Sequence, residues 1–149
     1  MTVYELSCDR AAMQGISVRE EVTPYAIKGL YYEDEDTKVV AISNRLETEV
    51  EKNAVLFEER GHGIRGGNIL FGGYDQVMKR KIELEGKGHG YAIGVPIRKL
   101  TALLKRGLYF SEIAEELCVT EKYVTEAVDY YITKGKLPRY NHCEDQYGY

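Results

Sequence analysis

Tryptophan is absent from this 149-residue chain, and cysteine, proline and phenylalanine occur three times each. Cys8, Cys118 and Cys143 are odd in number, widely spaced and form no Cys-x-x-Cys pair. That argues against a disulfide framework and fits reduced thiols in a cytoplasm, the expected location. No apolar run approaches the roughly 20 residues that a bilayer-crossing helix needs. Residues 1–5 show no basic segment leading into an apolar one, so no secretion signal is visible. Basic charge is also in short supply: 20 Lys and Arg against 24 Asp and Glu leave a net charge of −4. A bulk electrostatic attraction to nucleic acid or to an anionic membrane is thereby disfavoured. There are no internal repeats and no low-complexity segments. What remains is an ordinary balance of 44% hydrophobic and 30% charged residues, in a chain long enough to bury one core and carry a small helical appendage. Thirteen tyrosines are unusual, but they carry no functional reading.

Hydrophobic spacing predicts a first helix over residues 3–14, stopped at Gly15. Residues 16–22, 28–32 and 38–43 read as strands, with the acidic run Glu33-Asp34-Glu35-Asp36 as a solvated turn. A cation site in that run is the alternative. An α+β fold follows, with a small, mostly antiparallel sheet made of a hairpin plus one strand. From Leu46 the period becomes helical through Val50, Ala54 and Phe57. Gly61, Gly63, Gly66 and Gly67 then break the pattern and open a glycine-rich loop over residues 63–73, expected to be mobile. A second helical region spans 77–93, although Gly86, Gly88 and Gly90 each cost about 1 kcal/mol of helix propensity relative to alanine. Further short helices are expected at 97–105, at 112–117 with Ser111 as cap, and at 121–133 with Thr120 as cap. The organisation is a domain over 1–96, a helical subdomain over 97–134 packed on it, and a polar tail over 135–149.

The segment Phe57-Glu58-Glu59-Arg60-Gly61-His62 closes the helix that starts at Leu46, and it has the look of a zinc-hydrolase helix with one ligand changed. In His-Glu-x-x-His, two imidazoles four residues apart share a helix face and the intervening Glu is the general base. Here Glu58 stands at the first ligand position, Glu59 at the base position and His62 at the second ligand position. On a helix, Glu58 and His62 emerge from one face. Glu59 lies about 100° round, where a carboxylate can act on the hydrolytic water without ligating. A third ligand must come from elsewhere. Glu85 is the best candidate, with His89 one helical turn beyond it.

These residues resemble the ImmA/IrrE metallopeptidases, in particular phage- and prophage-borne members with a Glu-Glu-x-Gly-His core. The likeness is carried by Glu51–Leu56 leading into the core, by Asn68-Ile69-Leu70, by a block over 79–96 with Glu85, Lys87, Tyr91, Ala92, Val95 and Pro96 in register, and by Glu112–Thr120. It runs from about residue 4 to residue 134. The resemblance implies a metal-dependent endopeptidase with Glu58, His62 and Glu85 as metal ligands and Glu59 as general base. The implied cofactor is one divalent ion, zinc in the first place, with manganese or iron favoured equally by a site of two carboxylates and one imidazole. The implied target is a helix-turn-helix repressor, cleaved or inactivated. Three positions depart from the family pattern: Glu58 for His, Gly88 and Gly90 in the third-ligand helix, and Arg60 where an apolar residue normally packs inward.

Plainer readings stand beside these. Glu58 and Glu59 fit the wet end of an amphipathic helix, His62 a helix C-terminus that favours a cation, and Glu85 an ordinary solvated carboxylate. His142, with Cys143, Glu144 and Asp145, has metal-compatible side chains in a polar tail. Residues 111–133 have a helix-turn-helix outline, but the second helix carries Glu121, Glu126 and Asp129 against Lys122 and would repel phosphate. Internal packing or docking of a partner repressor suits it better than DNA. The rival to the peptidase is a non-catalytic protein of the same fold that binds the repressor without cutting it.

Overall fold

The computed structural model describes residues 1–24, 26–65 and 75–138. Along the chain lie α1 (Val3–Met13), β1 (Ile16–Glu21), β2 (Gly29–Glu33), β3 (Lys38–Ser43), α2 (Glu49–Arg65), α3 (Gln76–Gly94), α4 (Ile97–Lys105), α5 (Phe110–Leu117) and α6 (Glu121–Thr133), an α+β arrangement. At the start of α1, Thr2 and Glu5 form a reciprocal cap. The Thr2 N–H donates to Glu5 Oε2 at 2.7 Å and the Glu5 N–H to Thr2 Oγ1 at 3.2 Å. Such a cap contributes about 1 kcal/mol. Gly15, at φ +78°, then turns the chain into β1, a conformation that glycine adopts without strain.

The strands lie in the order β1-β3-β2. β2 and β3 form the expected antiparallel hairpin, with Tyr31 opposite Val40. The acidic segment makes its turn, Asp34 Oδ1 accepting from the N–H groups of Asp36 and Thr37 at 3.0 and 2.8 Å. β1, however, runs parallel to β3, with Ile16 beside Lys38 and Glu21 beside Ser43. The sheet is therefore mixed, not antiparallel throughout. Residues 22–24 and 26–28 lie across the end of β3, so that β3 inserts between its two predecessors. Arg45 pins that crossing: Nη2 donates to Thr23 O and Thr23 Oγ1 at 3.0 Å and to Pro24 O at 2.9 Å. Alternating apolar residues serve either pairing direction, which is why the strand pattern alone pointed to the commoner one.

α1 and α2 cover one face of the sheet, where Val40 and Ile42 pack with Ile16, Tyr4, Ala11 and Leu56. Burying an aliphatic side chain of this kind stabilises by roughly 1.5–3 kcal/mol. A second cluster joins Ala54 and Phe57 of α2, Tyr91 of α3 and Val95 to the buried faces of α4, α5 and α6. Asn53 adds a polar tie, its Nδ2 donating to Cys118 O in the α5–α6 turn at 2.9 Å. Residues on both sides of position 96 thus share one core.

Several helix limits differ from the sequence reading. α2 runs on through Gly61 and Gly63 to Arg65. The rest of the glycine-rich loop, residues 66–73, lies outside the described residues, as does the tail from 139 on. α5 begins at Phe110, one residue ahead of the expected cap Ser111. Its start is held by Glu112, whose Oε2 accepts from the Tyr109 N–H at 2.7 Å. Thr120 caps α6 as expected, its Oγ1 accepting from the Tyr123 N–H at 3.1 Å.

Candidate metal centre

α2 and α3 cross at backbone distance, and glycine makes that possible. A Cβ on Gly61 would collide with Gly86 O and Gly90 N, one on Gly86 with the His62 imidazole, and one on Gly94 with the Phe57 ring. Gly86, Gly90 and Gly94 recur every four residues and so share one face of α3. The helix-propensity cost of these glycines is offset by the approach they permit. Arg60 is buried on the side of α2 towards α1, donating from Nη2 to Gln14 Oε1 at 3.0 Å.

On this crossing, α2 presents Glu58 and His62 one turn apart, and α3 brings Glu83 to meet them. His62 Nε2 lies 4.0 Å from Glu58 Oε1 and 3.5 Å from Glu83 Oε1. One ligand atom from each of the three falls within 4.8 Å of the others. Donors around a tetrahedral zinc at 2.0–2.1 Å stand about 3.3 Å apart, so small side-chain adjustments close the set. The donor chemistry, one imidazole and two carboxylates, fits a divalent cation. His62 is almost enclosed, and its Nδ1 lies buried over Gly86 with no hydrogen-bond partner.

Glu85, the third ligand expected from the sequence, is not in this group. Two residues from Glu83, it points about 200° away round α3, and its Oε2 forms an ion pair with Arg65 Nε. In the structure Glu83, not Glu85, lies beside His62. A signal for this was present in the chain. Glu83 is three residues before Gly86 and seven before Gly90, on the face that glycine opens towards α2, whereas Glu85 is off it. His89 is exposed and also stands apart. His142, Cys143, Glu144 and Asp145 lie outside the described residues.

Glu59 faces the sheet. A Cβ on Gly29 of β2 would stand 3.0 Å from Glu59 Cγ. Burial first, then the charges of Glu58 and Glu83, push its carboxyl up to about 7, against a smaller opposing pull from the Tyr31 backbone amide. A general base works best with a pKa near the operating pH. On the far side of Glu58 lies a tyrosine cluster, with the Tyr91 and Tyr123 ring centroids 5.1 Å apart and those of Tyr91 and Tyr130 5.5 Å apart. Burial, and next the Glu58 charge, hold the Tyr123 hydroxyl protonated, well above the ordinary tyrosine range.

Two helices thus set an imidazole and two carboxylates, a group that could hold a metal ion, beside a buried carboxyl with a raised pKa. The chain matches the peptidase M78 family, its IrrE N-terminal-like domain, over residues 11–128, and belongs to that family of metallopeptidases. Membership in a peptidase family implies a protein substrate. No curated protein and no solved structure matches the chain. Among the described residues, no helix is long and apolar enough to cross a membrane.

Proposed function

We propose that this protein is a divalent-metal-dependent endopeptidase with Glu58, His62 and Glu83 as ligands and Glu59 as general base. The observation that carries the reading is the convergence of those three ligand atoms beside a carboxyl held near neutrality. A bound cation supplies Lewis acidity towards the scissile carbonyl and the hydrolytic water. Glu59 takes the water proton and hands it to the leaving amine. His62 is fixed by its enclosure over Gly86, which limits the ways its Nε2 can turn. Zinc, manganese and iron all suit two carboxylates and an imidazole. The substrate we assign is a helix-turn-helix repressor of a phage or mobile element, met in a cytoplasm. Support comes from the resemblance of the Glu-Glu-x-Gly-His core and of the α5–α6 unit to phage-borne relatives. The exposed Glu121 and Asp129 on α6 suit a protein partner better than phosphate.

Metal content and cleavage of the cognate repressor test this together. Glu59→Gln should abolish cleavage and keep the metal. Glu83→Gln should lose the metal, whereas Glu85→Gln should retain it. Full cleavage by Glu59→Gln, or metal loss in Glu85→Gln with none in Glu83→Gln, would refute the assignment. A second reading, a repressor-binding protein that does not cut, draws on Glu58 standing where a histidine is usual and on Glu83 being half exposed. It predicts a metal-free protein that binds the repressor and leaves it intact.

A further inference from the structure

We infer that Tyr123, on α6, is a positioning residue for the candidate metal centre: with a cation held by Glu58, its hydroxyl would donate to the Glu58 carboxylate oxygen that faces away from that cation. This rests on the reading of Glu58 as a ligand and adds a third helix to a site otherwise built from two. Tyr123 is 5% exposed, and its Oη has no hydrogen-bond partner. A buried hydroxyl left unpaired costs about 1–3 kcal/mol, where phenylalanine would fill the same space at no such cost. The position of the hydroxyl supplies a reason for it. A Cβ built on Gly90 would stand 3.1 Å from Tyr123 Oη and 3.1 Å from Glu58 Cα, so the two lie within the sum of those distances. Gly90 is therefore the gap through which the hydroxyl reaches the ligand helix. Phe57 O, the other acceptor beside that gap, is a carbonyl within α2 and is taken up in helix hydrogen bonding.

The need is specific to a carboxylate. An imidazole ligand is rigid, whereas a Glu side chain turns about three bonds and offers two equivalent oxygens. A donor on one oxygen leaves the other directed at the cation and restricts that rotation. Partners of this kind are worth about 10–100-fold in metal affinity. The ring is already fixed, packed against Tyr91 and enclosed in the core that α6 shares with α2 and α3.

The test compares Zn²⁺ affinity, by competition with a chromophoric chelator, in the full chain and in Tyr123→Phe. Tyr131→Phe serves as control, since Tyr131 Oη donates to Val95 O at 2.8 Å and is purely structural. Tyr123→Phe should bind Zn²⁺ at least about tenfold more weakly, with the thermal unfolding of the metal-free protein not lowered. The visible bands of the Co²⁺-loaded protein should also shift. Tyr131→Phe should lower the unfolding temperature and leave Zn²⁺ affinity unchanged. Equal affinity and identical Co²⁺ spectra for wild type and Tyr123→Phe would overturn the inference while leaving the metal centre standing. Absence of Zn²⁺ and Co²⁺ binding by the wild type would overturn both.

Discussion

Glu59 is a carboxylate whose surroundings favour its neutral form. In the folded chain it titrates at about 7, against an ordinary 4.5, because it is buried and because Glu58 and Glu83 add negative charge nearby. A folded-state value above the unfolded one means that the folded protein binds more protons between the two. Stability then falls as pH rises through that window. For the metal-free protein, the contribution is fully present below about pH 4.5 and is lost as pH passes 7, a swing on the order of 3 kcal/mol at most. Urea titrations of the metal-free protein should therefore show greater stability at pH 5 than at pH 8, and Glu59→Gln should remove most of that difference. The place of Glu59 between Glu58 and His62 on one helix was readable from the spacing. Its neutral tendency was not, because burial against Gly29 and the approach of Glu83 come from other elements.

Glycine decides how α2 and α3 meet. Read along the chain, Gly61, Gly63, Gly86, Gly88 and Gly90 look like helix breakers, since each loses propensity. In the fold they mark close approaches: Gly61 lies against the α3 backbone and Gly86 against the His62 imidazole, while Gly63 lies against the Tyr31 ring of β2 and Gly88 against the Tyr130 hydroxyl of α6. Gly61→Ala should cost about 1–3 kcal/mol, the usual penalty for forcing atoms into a closed interface. It should also weaken metal binding by parting His62 from Glu83. Urea midpoints together with Zn²⁺ affinity check both effects, and an alanine that stabilised the helix with no loss of metal would contradict the packing described. The strands and the helices α1, α4 and α6 were legible because caps, periodicity and turn residues are local signals. The parallel partner of β1 was not, since pairing direction depends on which strand comes to lie beside β1, not on its own residues.

The core formed by α2–α6 makes the C-terminal helices part of the support for the candidate metal centre. Leu100, Ile113, Val124 and Val128 are almost wholly buried against Ala54, Phe57, Tyr91 and Val95. Leu100→Ala should lower stability by about 2–5 kcal/mol. Because the cluster spans both helices of the site, hydrogen exchange should quicken in α2 and α3 as well as in α4. Loosening confined to α4–α6 would mean that the C-terminal unit folds apart from the rest. The order of elements and the α+β class could be anticipated from the chain. That Asn53 and Phe57 of α2 would be anchored by the C-terminal helices could not, because no local pattern marks a contact such as that of Asn53 with Cys118, sixty-five positions on.

The chain alone sets the alternation of apolar residues, the caps, the i and i+4 pairing of Glu58 with His62 and the place of Glu59 between them, because these depend on neighbours a few residues away. Whether Glu83 or Glu85 meets His62 depends on the rotation of α3 about its own axis, and two residues of helix turn a side chain to nearly the opposite face. That rotation is set where Gly86 and Gly90 lie against α2, a contact that exists only once both helices are packed.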